Sequence, residues 1–229
     1  MDILCCDMYA TAMASLSLRN RIPHEEFDYQ TLLDALPGYS RPRSRITALL
    51  RDGVIVRVKK GLYVFGEEER GKPLCRELLA NLVYGPSCVS LEYALASHGL
   101  IPERVETVTS VTCGRSRAFD TPVGRFTYRR ISIEAFPVGV DRMETGDGRA
   151  FLIATPEKAL ADALVADRRG TFGSRRGLAS YLDGSWRIEM GRLKGLDRDL
   201  LDELAKSYRS RKVRLLASLV GSLTKGGKG

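Results

Sequence analysis

The stretch from Pro42 to Phe65 constrains the fold more than any other part of this chain. Pro42 can occupy the first turn of a helix, where its missing N–H costs nothing, and Gly53 offers a stop. Placed at 100° per residue, Ile46, Leu49 and Leu50 fall on one third of the circumference. Ser44, Thr47, Ala48 and Arg51 fall on the other side, with Arg45 on the flank. A helix that is merely solvated usually carries Glu and Lys there in i,i+4 pairs; this one has no acid before Asp52. Small and cationic side chains let a helix approach a groove floor and donate to phosphates and base edges. Val54 to Phe65 then reads as two β-rich arms around Lys59-Lys60-Gly61, with Gly61 suited to the positive φ of a tight turn. The expected tip is a lysine pair in solvent.

Upstream, Phe27, Leu32, Leu33 and Leu36 share a helical spacing that Pro37-Gly38 ends. Helix, basic helix and basic-tipped hairpin follow one another in the order of a winged helix-turn-helix. The first 18 residues are small and apolar and also read as helical.

The net charge of +8 is unevenly spread. Residues 41–60 hold Arg41, Arg43, Arg45, Arg51, Arg57, Lys59 and Lys60 against the single acid Asp52, and the last thirty residues are a second basic block. Such blocks point to a polyanion such as nucleic acid; a solvated surface is the alternative. Aromatics make up only 7% of the chain, which argues against a stacking platform for single strands. No apolar run reaches the roughly 18–20 residues that span a bilayer, and no signal-peptide pattern opens the chain. The five cysteines include no C-x-x-C pair, and His24 and His98 neighbour none of them. We therefore expect reduced thiols, no metal, no cofactor and a cytoplasmic location.

Glu67 to Pro73 is charged and holds helix breakers, so it reads as a linker. The expected organisation is a helical extension over 1–20, a winged helix over 21–70, a second domain over 71–221 and a tail over 222–229. In the second domain Leu74–Tyr84 and Ser90–Gly99 read as helices, with Ser90 as a cap. The stretch from Val105 to Val140 reads as strands turning at Asp120–Gly124, and Phe151–Ile153 as a short strand. Thr155-Pro156-Glu157 is a helix start, and a single long helix is expected from Asp197 to about Val220. The fold class is thus α+β, with an antiparallel sheet and C-terminal helices in the second part.

Motifs for nucleotide binding, nucleophilic catalysis or zinc hydrolysis are missing. Gly184-Ser185 followed by Asp197-Arg198-Asp199 resembles a nucleotidyltransferase signature, but Asp197 reads better as a helix cap. Glu157-Lys158 reads as a first-turn acid and a helix-surface lysine, and His98 as a residue of a helix end. Arg115, Arg117, Arg125, Arg129 and Arg130 could grip an acidic protein or a phosphate, or form the polar face of a half-exposed sheet.

In several blocks the chain resembles the AbiEi-type antitoxins of type IV toxin–antitoxin systems. These are Arg45-Ile46-Thr47 to Gly53 with Lys60–Val64; Ser90–Leu95 with His98–Glu103; Val111-Thr112, Arg115 and Phe119 to Arg129; and Ala154–Leu160. The resemblance implies an N-terminal winged helix that represses its own promoter, and a C-terminal domain that neutralises a nucleotidyltransferase-type toxin. Arg41, Arg43, Ser44, Arg45, Thr47, Ala48, Arg51, Lys59 and Lys60 are the expected DNA-binding set. Arg115, Arg117, Arg125 and Arg129 are the candidates for toxin neutralisation. The alternative is a phosphoryl-transfer enzyme that modifies the toxin, with Asp197 and Asp199 as its acids.

Overall fold

The computed structural model describes residues 18–225, and it is an α+β structure. The expected helix in the first 18 residues lies, but for Leu18, outside the described residues. The chain divides into two compact units. The first runs to Val83 and takes in Thr121–Gly124; the second holds Tyr84–Asp120 and the chain from Arg125 onward. The division thus falls beyond the charged stretch at 67–73.

The first unit begins with strand β1 (Glu26–Asp28) and helices α1 (Tyr29–Asp34) and α2 (Pro42–Arg51). Strands β2 (Ile55–Lys59) and β3 (Leu62–Phe65) and helix α3 (Arg76–Val83) follow. The three strands form an antiparallel sheet in the order β1-β3-β2. Phe27, expected in a helix, is in β1 opposite Tyr63. The reason is local: Asp28 caps α1, its carboxylate accepting from the Thr31 N–H at 2.7 Å, so the helix starts only at Tyr29. Phe27 then packs on Phe65, ring centroids 5.0 Å apart, inside a core built from Leu32, Ile46, Leu49 and Ile55. Burying a phenylalanine side chain contributes about 1.5–3 kcal/mol. Beside this core Glu25 is buried with both carboxylate oxygens on the Arg19 guanidinium, which also lies 4.6 Å from the Phe65 ring centroid.

The second unit contains β4 (Ser87–Val89), α4 (Leu91–Ser97), β5 (Val108–Thr112), β8 (Val140–Glu144) and β9 (Ala150–Ala154), and all but the end residues Thr121 and Gly124 of β6 (Arg117–Thr121) and β7 (Gly124–Arg130). The strand order is β6-β7-β5-β4-β9-β8. The expected antiparallel sheet is a mixed one: β5 runs parallel to β7 and β4 parallel to β9. The strand expected from Val105 starts at Val108, and Val108, Ser110, Val111 and Thr112 are all buried. Lying between β4 and β7 with most of its side chains enclosed, this strand is found by alternation but its start is not.

Helices α5 (Pro156–Ala166), α6 (Arg175–Trp186), α7 (Met190–Leu193), α8 (Arg198–Tyr208) and α9 (Arg211–Lys225) complete the unit. Thr155 caps α5 as expected, accepting from the Lys158 N–H. The single long helix expected from Asp197 is two helices, α8 and α9. Arg209 takes a left-handed φ of +49°, and the Ser210 N–H reaches back to the Ala205 carbonyl. This 6→1 closure ends α8.

Candidate nucleic-acid interface

Helix α2 presents the face that its spacing predicts. Ile46 and Leu49 are buried in the first core, whereas Arg43, Ser44, Thr47 and Arg51 are exposed and Ala48 is half-exposed. Arg41, at the N-cap, is exposed too. The Thr47 hydroxyl donates to the Arg43 carbonyl at 3.0 Å, which leaves its lone pairs free to accept. Arg51 lies 2.8 Å from Asp52, an exposed pair that a stronger anion can displace. Gly53 ends the helix with a φ of +73°.

Arg45, on the flank as expected, is turned toward its own domain. It is half-buried, its guanidinium carbon lies 5.8 Å from the Tyr39 ring centroid, and its Nε is shielded without a hydrogen-bond partner. A guanidinium held against its own domain in this way is poorly placed to read a base, which leaves the smaller side chains of Ser44 and Thr47 at the centre of the outward face.

The hairpin also differs from expectation at one of its two lysines. A register shift between Arg57 and Lys59 breaks the ladder, and Val58 is buried. Lys59 folds back and donates from Nζ to the Val83 carbonyl at 2.7 Å, at the C-terminus of α3 where the helix dipole favours a cation. Partial burial lowers its pKa. Lys60 remains exposed in the turn, with Gly61 at a φ of +85° beside it. The Gly61 carbonyl accepts from the Tyr29 N–H at 3.0 Å, so the turn is held to the start of α1. The cationic set is thus Arg41, Arg43, Arg51 and Lys60, without Lys59 and Arg45.

In the second unit Arg115, Arg117, Arg125 and Arg129 are all exposed. They do not form one cluster. Arg117 and Arg129 line a common recess with Ser116 and Thr127, and Arg129 also donates to the Ala166 carbonyl at 2.7 Å. Arg117 lies over the Tyr84 ring at 5.7 Å. Arg125 instead pairs with Asp120 at 3.6 Å.

A buried polar group escapes the reading of the sequence. Lys158, expected on a helix surface, has no solvent exposure; its Nζ donates to the Ala135 carbonyl at 2.9 Å and lies 3.5 Å from Asp162 Oδ1. Asp162 also accepts from the Ser90 hydroxyl at 2.6 Å and from the Tyr208 hydroxyl. Ser90, expected to cap α4 through its side chain, makes no such bond. Burial pushes the carboxyl of Asp162 and the phenol of Tyr208 up in pKa, and the Cys88 thiol up to about 12. One signal was available: apart from Glu157, Lys158 and Asp162 every residue of α5 is apolar, on all sides of the helix, so its charges had to lie inside.

His98 stands at the C-cap of α4 with its Nε2 2.8 Å from the Ala154 carbonyl, so the ring nitrogen bonds the backbone. Asp197 caps α8, accepting from the Asp199 and Leu200 N–H groups at 2.8 and 3.3 Å. Its carboxylate is thereby used in the backbone. Cys75 and Cys88 are buried free thiols; Cys5 and Cys6 lie outside the described residues. Among the described residues no helix is long and apolar enough to cross a membrane.

No protein-family model and no curated protein matches this sequence. Among solved structures, the RV2827C protein from Mycobacterium tuberculosis is similar over 93% of this chain and 81% of that one, with 18% identity and a TM-score of 0.48. JHP933 from Helicobacter pylori is similar over 66% of this chain and 89% of that one, with 14% identity and a TM-score of 0.30.

Proposed function

We propose that the first unit is a winged helix that binds duplex DNA. Helix α2 enters the major groove and Lys60 holds a phosphate from the hairpin turn. The observation that carries this is the outward face of α2: Arg43, Ser44, Thr47 and Arg51 exposed together, with Asp52 the one acid on or beside the helix. Phosphate contacts from Arg41, Arg43, Arg51 and Lys60 position the duplex, and Ser44, Thr47 and Ala48 face the base edges.

The blocks shared with AbiEi-type antitoxins extend this to a whole-chain function. The protein acts in the cytoplasm as an antitoxin that represses its own promoter and neutralises a cognate nucleotidyltransferase-type toxin. Arg115, Arg117, Arg125 and Arg129 of the second unit are the toxin-neutralising candidates. The test is binding to a labelled duplex from its own promoter, beside co-expression with the neighbouring gene. Arg43→Ala with Lys60→Ala abolishes promoter binding and spares rescue from toxicity; alanine at the four second-unit arginines does the reverse. No promoter binding by the intact chain, or a neighbouring gene without toxicity, rejects the corresponding half.

A further inference from the structure

The segment Arg168-Arg169-Gly170-Thr171-Phe172-Gly173-Ser174-Arg175-Arg176-Gly177 runs from the end of α5 into the first turn of α6 in the second unit. It is built as a fixed loop. Asp167 accepts from the Arg169 and Gly170 N–H groups at 2.8 and 3.1 Å and from the Tyr181 hydroxyl. Lys212 donates to the Asp167 carbonyl, and Arg211 donates to the Gly173 carbonyl at 3.4 Å, which seats the loop on the start of α9. A side chain at Gly170 would come within 2.9 Å of the Tyr181 ring, so only glycine permits this approach.

Two properties of the loop go beyond what holds it in place, although Tyr181 bonds Asp167 and Lys212 lies 5.6 Å from the Phe172 ring centroid. Arg168, Arg169, Arg175 and Arg176 are exposed, and among the described residues no ion pair or hydrogen bond engages their guanidinium groups. Asp167, the acid within the loop's own framework, is turned inward onto its hydrogen bonds. Second, Phe172, Tyr181 and Trp186 form a half-exposed row, with ring centroids 5.4 and 6.0 Å apart. The low aromatic content of the whole chain conceals this local concentration. Arginines that track a backbone, beside rings on which bases stack, are the combination that holds single strands without sequence preference. An acidic protein surface would use the arginines but not the rings.

We infer that this loop and the adjoining aromatic row bind single-stranded nucleic acid, independently of the duplex-binding face of the first unit. Arginines contact phosphates and Phe172 and Trp186 stack on bases. Trp186 is the chain's single tryptophan, so it reports on the site directly.

The test uses the full chain carrying Arg43→Ala, Arg51→Ala and Lys60→Ala, which disables the first unit's face. A fluorescein-labelled 20-nucleotide RNA of mixed sequence is titrated at low salt, with anisotropy and tryptophan emission both recorded. Saturable binding with quenching of Trp186 is expected. Alanine at Arg168, Arg169, Arg175 and Arg176 weakens it at least tenfold, and Phe172→Leu about fivefold, with circular dichroism confirming the fold. Binding lost already in the triple variant overturns the inference and leaves the duplex-binding proposal standing. So do three other results: unquenched tryptophan, tighter binding of a duplex of the same sequence, or equal competition by polyglutamate at matched charge.

Discussion

Lys158 and Asp162 stand one helical turn apart on α5, their charged atoms 3.5 Å from each other and neither side chain reaching solvent. A buried pair of this kind is maintained by its remaining hydrogen bonds, here from Lys158 to Ala135 and from Ser90 and Tyr208 to Asp162. Removing one charge strands the other in a medium that cannot solvate it. Lys158→Met is expected to cost about 3–5 kcal/mol in urea unfolding. The double variant Lys158→Met, Asp162→Leu loses less than the sum of the single changes. Additive losses in that cycle would show that the two groups do not act as a pair.

The cap of α1 gives a pH dependence whose sign follows from its cause. Hydrogen bonding from the Thr31 N–H favours the ionised carboxylate of Asp28 and holds its pKa below the usual 3.8. A lowered value means that the unfolded chain takes up the proton more readily than the folded one. The contribution of Asp28 is therefore complete above the unfolded value and is lost as pH falls through the folded one. Asp28→Ala destabilises by about 1 kcal/mol at pH 7. The gap between variant and parent in urea midpoint narrows at pH 2. A gap that stays constant over this range would rule out the carboxylate as the source.

The two lysines of the hairpin are expected to behave differently. Four phosphate contacts, from Arg41, Arg43, Arg51 and Lys60, give a slope of log K against log salt of about −3.6. Lys60→Ala weakens all duplexes alike and makes that slope shallower by about 1. Lys59→Ala leaves the slope unchanged, because its amine is occupied at Val83. Equal slope changes for both variants would mean that the tether is released when DNA binds.

Gly66 tests the closure between α2 and the hairpin. A Cβ there would lie 1.8 Å from the Gly53 carbonyl oxygen, and the Gly66 N–H already donates to Val54 at 2.9 Å. Backbone must move to admit alanine, and a cost of about 1–3 kcal/mol or more is expected. Gly146→Ala, with open space around it, stays within about 0.5 kcal/mol of the parent. Thermal unfolding of the two variants side by side checks both.

The local signals in the sequence were legible where one residue type has one structural use. Pro42 and Gly53 bracket α2, Gly61 turns the hairpin, and Thr155-Pro156 starts α5. Periodicity found the buried face of α2 because its other face meets water. It missed the start of β5 and the burial of Lys158 and Asp162 on α5, since an enclosed segment with no wet side does not show which face is inside. The strand at Phe27 was hidden because its pairing with Tyr63 joins residues far apart in the chain. The paths of Lys59 and Arg45 were unreadable for the same reason: each is decided by a partner, Val83 or Tyr39, that spacing alone does not bring near.

The Lys59 tether has a mechanical consequence. A hairpin moored to the end of α3 is a strut rather than a swinging arm: its place against that helix is set before anything arrives. The ordering is done when the chain folds, so association forfeits little freedom. Under the proposed duplex binding, stiffness of this kind trades tolerance for grip, and a duplex whose groove width does not match is disfavoured without any base being read.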